Sequence, residues 1–185
     1  MKAIILPSDN KTPSEARSGA MAQIGGVPII FHVIKMLEGA GVRKIIVCDN
    51  TDTDEIKDFL ENSKDKVLGV EIEHFRVDST LKSAQILEKC KRFDLEKTFF
   101  VVPNDVITDL NLMKLYEFHR KQGRTATACV AECKKYFSAL SSDCACESKI
   151  VNSEIYAFES EIIDYSENAT RLDSEVLLRV AIENE

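Results

Sequence analysis

The residues that could do chemistry gather at three places in the chain. Asp105 follows an apolar run, Thr98-Phe-Phe-Val-Val102, and a Pro103-Asn104 step. An aspartate just past a buried strand can ligate magnesium beside a phosphate. It can equally cap the turn into a following helix, because Asx side chains bond nearby backbone there. Residue chemistry alone leaves these two readings even. The second place is residues 7–26, a long polar segment. Lys11 and Arg17 would attract an anion there, and Asp9 and Glu15 would repel it. A phosphate cradle needs glycines for close backbone approach, and usually a basic side chain. The first half of this segment has no glycine, and Pro7 and Pro13 restrict it further. A structural loop is the favoured reading. The third place is Asp78-Ser79-Thr80, expected to cap a helix carrying Leu81, Ala84, Ile86 and Leu87.

Other reactive side chains suggest less. Cys129, Cys133, Cys144 and Cys146 form a C-x-x-x-C…C-x-C array without the C-x-x-C spacing of a zinc knuckle. The array could in principle bind zinc, while Cys48, Cys90 and Cys129 are read as reduced, partly buried thiols. There is no nucleophile elbow. Glu71 and Glu73 share one strand face and are expected to be solvated, as are His32 and His74. His119 is expected to face inward.

The elements that must position these residues alternate. Lys2-Ala-Ile-Ile-Leu6 reads as a strand, and the polar loop after it ends at Gly25-Gly26. Pro28 opens a helix with Ile29, Ile30, Val33, Ile34 and Leu37 on its apolar face. Gly39-Ala-Gly41 stops that helix, and Lys44-Ile-Ile-Val-Cys48 follows as a strand. This is a βαβ unit with a parallel sheet. A helix with Ile56, Phe59 and Leu60 inward, and Asp52 or Thr53 as N-cap, precedes a strand at residues 70–75. That strand alternates apolar and polar residues and is placed near a sheet edge. Residues 98–102 read as a strand buried on both faces. A helix from Asn111 to Gln122 stops at Gly123. Residues 125–131 are a strand, 132–149 a surface excursion, and 150–158 a last strand. Residues 161–165 form a helical turn, and from Asp173 a final helix turns Val176, Leu177 and Val180 inward. The expected architecture is an α/β three-layer sandwich with a Rossmann-like, mostly parallel sheet, and one domain over residues 1–185. Ligands in such sheets sit beyond the carboxyl ends of the strands. Residues 7–26, 78–80 and 104–105 should meet there.

Composition narrows the classes. The 185 residues are 44% hydrophobic and 30% charged, with a formal charge of −7. An acidic balance argues against broad electrostatic binding to nucleic acid or an anionic membrane. The N-terminal apolar run is too short for a signal peptide. A cytoplasmic location is the expectation.

Five stretches together resemble the sugar-1-phosphate nucleotidyltransferases: Lys2-Ala-Ile-Ile-Leu6, Ile24-Gly-Gly-Val-Pro-Ile-Ile30, Leu37-Glu-Gly-Ala-Gly-Val42, Ile45-Ile-Val47, and Val102-Pro-Asn-Asp-Val-Ile-Thr-Asp-Leu110. The resemblance runs through nearly the whole chain and implies that family's fold without a β-helix extension. The family's motifs depart here. Its G-x-G-T-R signature is Ser8-Asp-Asn-Lys-Thr-Pro13, and Gly19 or its neighbour stands where a lysine is expected. Its G-T is Ser79-Thr80. Its G-D is Asn104-Asp105, which keeps the metal-binding aspartate. Its E-K-P motif is not recognisable near Glu147-Ser-Lys149, and the chain ends before a second metal aspartate is expected.

The same pattern of erosion is similar to the nucleotidyltransferase-like domains of eukaryotic translation initiation factor 2B, epsilon or gamma. The likeness lies in Leu6-Pro-Ser-Asp-Asn10, Ile56-Lys-Asp-Phe-Leu60, residues 99–110 and the tail from residue 150. This resemblance implies a non-catalytic subunit or domain of a guanine-nucleotide exchange complex, with no catalytic residue and no cofactor. Its partners would be a gamma-like subunit, other subunits of the complex, and initiation factor 2. Neither membrane nor direct nucleic acid contact is expected. Leu6, Pro7, Ser8, Asp9, Ser79, Thr80 and Asp105 would form a vestigial nucleotide site. The alternative is a divergent sugar-1-phosphate nucleotidyltransferase using a nucleoside triphosphate, with Asp105 holding magnesium. A regulatory domain that binds nucleotide without turnover is a third reading.

Overall fold

In the computed structural model, residues 1–8, 19–63, 69–95, 97–134 and 148–183 are described, with the side chains of 133–134 and 148–149 left aside. The expectations that fall on Asp9, Lys11, Glu15, Arg17, Cys144 and Cys146, and on the Cys133 side chain, lie outside the described residues.

One six-stranded sheet forms the centre. Its strands are β1 (Lys2–Leu6), β4 (Lys44–Asp49), β5 (Glu71–Arg76), β6 (Thr98–Pro103), β7 (Ala126–Lys134) and β8 (Ser148–Glu159), in the order β5-β4-β1-β6-β8-β7. The contacts β5–β4, β4–β1 and β1–β6 are parallel, while β8 runs antiparallel to both β6 and β7. A two-stranded ribbon, β2 (Gln23–Ile24) and β3 (Val27–Pro28), precedes the first helix. Gly25 and Gly26 turn it with φ of 61° and 77°. Two consecutive positive φ values are what a type I′ hairpin demands and only glycine supplies cheaply.

Alternation along each strand feeds two cores. Ala3, Ile5, Ile45, Val47, Phe100 and Val102 face α1 (Ile29–Gly39), α2 (Glu55–Asn62) and α4 (Leu112–Gln122). Ile4, Leu6, Ile46, Cys48, Phe99 and Val101 face α3 (Ser83–Lys89), α5 (Ile162–Tyr165) and α6 (Leu177–Glu183). These strands are apolar without a break because both faces are buried. Each large buried side chain contributes about 1.5–3 kcal/mol. The three-layer expectation holds, and β5 sits at an edge as its half-polar pattern requires.

Several local expectations need correction. Helix α3 does not start at Asp78. Lys82 occupies the N-cap position, and its N–H donates to Gln85 Oε1 at 3.0 Å. Asp78 instead closes its own turn, accepting from the Thr80 N–H at 2.9 Å and the Thr80 hydroxyl at 2.6 Å. An Asx side chain with a local donor in reach makes a turn before it makes a cap. Helix α2 is preceded by Asp54, not Asp52 or Thr53, and no side chain caps it. Glu71 and Glu73 are not simply solvated, because both meet Lys44 Nζ at 2.9 Å. The excursion is shorter than expected: β7 runs on to Lys134, and β8 starts at Ser148. At the other end Leu172–Val176 is a π turn leading into α6, and Leu177 is half-buried.

Helix α4 is capped by Asn111 Oδ1, which accepts from the Lys114 N–H at 3.1 Å, and ends at Gly123 with φ of 60°. It carries His119 inward. His119 Nε2 donates to Glu159 Oε1 at 3.2 Å, and Nδ1 accepts from the Thr127 hydroxyl at 2.8 Å. Burial pushes its pKa below the ordinary 6.5, outweighing the opposing pull of Glu159. A depressed folded-state value means that the unfolded chain takes up the proton first. His119 therefore contributes stability above about pH 6.5 that is lost as pH falls, by at most about 1.4 kcal/mol per pH unit. His119→Gln is expected to flatten that part of the profile in denaturant titrations between pH 5 and pH 7.

Candidate functional site

The carboxyl edge of the parallel strands is where β1 and β6 end side by side. The Asn104 N–H donates to the Leu6 carbonyl at 2.8 Å, so the two strand ends are tied together. Beyond them lies a cleft. Leu6 and Pro7 line one side, Ser83 at the start of α3 another, and Glu154, Tyr156 and Asp173 close it.

Asn104 and Asp105 form the turn out of β6. Asn104 is 2% exposed, and its Oδ1 has no hydrogen-bond partner among the described residues. A buried carbonyl oxygen left unpaired carries a desolvation cost of about 1–3 kcal/mol, and in a native fold it calls for a ligand or water. Asp105 is half-buried beside Gly19. A Cβ at Gly19 would stand 3.0 Å from Asp105 Oδ2, so the carboxylate occupies space that only glycine leaves. Gly19 therefore lies against the turn at the end of β6.

Among the sequence-selected residues, Leu6 and Pro7 reach the cleft. Ser8 follows them, half-buried, and Asp105 lies at the adjoining strand end. Ser79 and Thr80 are exposed in the Asp78 turn and do not line the cleft, whose hydroxyl is that of Ser83. Asp105 stands within the turn out of β6, and the N-cap of α4 itself is Asn111.

Two cleft residues escaped the sequence reading. Opposite β7, strand β8 bulges: Ala128 pairs with Tyr156, but Val130 pairs with Asn152. Within the bulge Glu154 has φ of 60°, and its N–H donates to Asn152 Oδ1 at 3.0 Å. Bulges and left-handed non-glycine residues concentrate at functional edges, where they re-aim side chains. Asp173 is clamped by Arg171, with Nε and Nη2 at 3.0 and 3.1 Å from its two oxygens. The Arg171 guanidinium holds its carboxyl below the ordinary range. An asparagine inside an otherwise strand-forming run was the available signal for the bulge.

Hard oxygen donors dominate this edge. Magnesium typically takes one or two carboxylates together with substrate phosphates and water. Asp105 and the unpartnered Asn104 Oδ1 fit that requirement. Among the described residues there is no group of three His, Cys, Asp or Glu side chains that could hold a metal alone. The nearest cysteines make no such site either. Cys48 and Cys90 are free and buried with their sulfurs 3.5 Å apart, and burial pushes the Cys48 thiol well up. No helix among the described residues is long and apolar enough to cross a membrane.

Residues 14–138 match the profile of the family described as nucleotidyl transferase. The chain is 27% identical over 182 residues to the mannose-1-phosphate guanylyltransferase catalytic subunit beta of Drosophila pseudoobscura pseudoobscura, covering 89% of this chain and 49% of that relative. It is 23% identical over 220 residues to a glucose-1-phosphate cytidylyltransferase of Salmonella typhi, covering 100% of this chain and 86% of the relative. Thus it spans about half the length of the first of these relatives and most of the second. Among solved structures, HddC from Yersinia pseudotuberculosis complexed with GMP-PN superposes with a TM-score of 0.72 at 18% identity, covering 96% of this chain and 85% of that one. At that identity the superposition speaks for the fold.

Proposed function

The chain belongs to the nucleotidyl transferase family, and we propose that it is a divergent sugar-1-phosphate nucleotidyltransferase that takes a nucleoside triphosphate and magnesium. The observation that carries this reading is the Asn104–Asp105 turn, with its unpaired buried oxygen beside a carboxylate and Gly19 packed against it. In the reaction, an oxygen of the sugar phosphate attacks the α-phosphorus of the triphosphate. The new P–O bond forms as the α–β anhydride bond breaks, and pyrophosphate leaves with that electron pair. Asp105 and Asn104 would hold the magnesium, which when bound neutralises charge on the phosphates. Leu6 and Pro7, both buried, form the apolar floor of the strand edge there. Lys11 and Arg17 follow Leu6 and Pro7 in sequence. Cleft carboxylates suit the neutral, hydroxyl-rich half of a sugar nucleotide, because a carboxylate accepts hydrogen bonds from hydroxyls and repels phosphate.

Calorimetry with the common nucleoside triphosphates plus magnesium tests binding, and pyrophosphate release with mannose-1-phosphate or glucose-1-phosphate tests turnover. No heat at millimolar nucleotide would sink the proposal. Glu154→Gly gives a further check. Removing a carboxylate from the cleft is expected to tighten nucleotide binding about fivefold, an effect of about 1 kcal/mol. Glycine also relieves the positive φ, so stability should not fall.

A second reading is a non-catalytic, assembly-forming subunit of an initiation factor 2B-type exchange complex, paired with a gamma-like subunit and acting on initiation factor 2. The cleft favours it in one respect: Glu154 and Asp173 line it, and no lysine or arginine among the described residues does. Purification of the native protein discriminates. Emergence without such partners rules this reading out.

A further inference from the structure

Strand β7 ends the sheet, and no described strand pairs with its outer edge. Between that edge and α6 runs an apolar groove. Ala126 and Ala128 of β7 and Leu177, Val180 and Ala181 of α6 line it, with Arg124 at one end. Leu178 and Ile182, one helical turn apart, are 58% and 65% exposed, and Val130 is 63% exposed. Natural edge strands resist pairing by carrying charges or proline. Along β7 the first six residues carry neither, and the strand's charges, Glu132 and Lys134, stand at its far end.

We propose that this edge pairs with β7 of a second copy of the chain, antiparallel about a two-fold axis at Ala128. The sequence is self-complementary in that register. Ala128 meets itself, and Ala126 meets Val130 of the second copy, a small residue against a large one. Arg124 meets Glu132 of the second copy, and symmetry repeats both pairs. Residues 126, 128, 130 and 132 share one face of β7, the face that Ala126 and Ala128 turn to the groove, and Arg124 precedes the strand at the groove's end. The Val130 side chain of each copy therefore meets the groove of the other beside Ala126. Moving the axis by one residue sets Glu132 against Gln122 or Ala126 and loses the ion pair, so charge fixes the register. The pairing would join two six-stranded sheets into one of twelve and leave both carboxyl-edge clefts open. It does not depend on the catalytic reading above.

Sedimentation velocity of the intact chain over a wide concentration range tests the idea, with a dimer expected. Arg124→Glu and Glu132→Arg, each alone, place like charges at both symmetric positions and should raise the dissociation constant at least about tenfold. The combined exchange should restore it. Circular dichroism confirms that these surface variants fold. Ala128→Cys should crosslink across the axis under mild oxidation, at a site mapped to position 128 by mass spectrometry. A monomer at every concentration overturns the proposal. So does a dimer that neither single exchange weakens and that does not crosslink at position 128.

Discussion

Asp105→Ala is expected to lower magnesium-dependent nucleotidyl transfer at least about a hundredfold, the loss typical when a group aimed at transition-state charge is removed. The argument rests on placement. Asp105 stands at the carboxyl end of β6, and β6 is tied to β1 through the Asn104 N–H and the Leu6 carbonyl at 2.8 Å. Neither strand can shift without breaking a ladder that is buried on both faces. The carboxylate is therefore held where a triphosphate crossing this edge would present its oxygens. A capping role predicts something else: a stability loss of about 1 kcal/mol with magnesium dependence intact. The readouts are kcat/KM as a function of magnesium, and denaturant midpoint. Unchanged kcat/KM in a folded variant would return Asp105 to a turn residue. Gly19→Ala should mimic part of the effect, since its Cβ would meet Asp105 Oδ2 at 3.0 Å.

What the sequence made legible was local. The βαβ unit, the doubly buried β6 and the Asn111–Gly123 bounds of α4 follow from apolar runs, cap residues and glycines that act within a few positions. Gly25-Gly26 was legible as a turn for the same reason. What stayed hidden depends on pairing across the chain. That β8 runs antiparallel between β6 and β7 stayed hidden because strand pattern alone does not encode direction. Glu154 looked like one more polar position in a strand, whereas Asn152 turns the backbone there. Ser79-Thr80 was selected by resemblance to a motif, but the Asp78 turn spends both donors of Thr80 locally. The cleft hydroxyl at that corner belongs to Ser83. The family was legible in the order and spacing of the apolar stretches. The finer likeness to initiation factor 2B lies in stretches matched by pattern together with an eroded glycine signature, and a shared pattern points less specifically than a motif.

Replacing Asp49 with alanine is expected to destabilise the fold by about 1–3 kcal/mol, the cost of leaving the donors around a buried carboxylate unpaired. Asp49 ends β4 and is fully buried. Its Oδ1 accepts from the Thr51 N–H at 2.9 Å and the Thr51 hydroxyl at 2.6 Å. Its Oδ2 accepts from His74 Nε2 at 3.0 Å and, more weakly, from Arg76 Nη2 at 3.5 Å. Periodicity placed His74 on a solvated face, but the β4–β5 register carries it to this carboxylate. Arg76 keeps other partners, the Thr53 carbonyl at 2.6 Å and Asp54 at 2.9 Å, so it is held without Asp49. His74 and the Thr51 N–H would lose the bonds to Asp49. Edge strand β5 and the turn into α2 would then lose their common anchor. Burial alone would raise the Asp49 carboxyl, yet the bonds from His74 and Thr51 outweigh it and hold the group below its ordinary 3.8. With the folded value depressed, the unfolded chain protonates first. The stabilisation is complete above the unfolded value and disappears as pH falls through the lower, folded one. Denaturant titrations should therefore show a large gap between the native chain and Asp49→Ala at pH 7, narrowing in acid below about pH 4. Asp49→Asn keeps the shape and one acceptor and should cost less than the alanine variant at neutral pH. A gap that stayed constant down to pH 2 would mean that packing, and not the carboxylate, anchors β5.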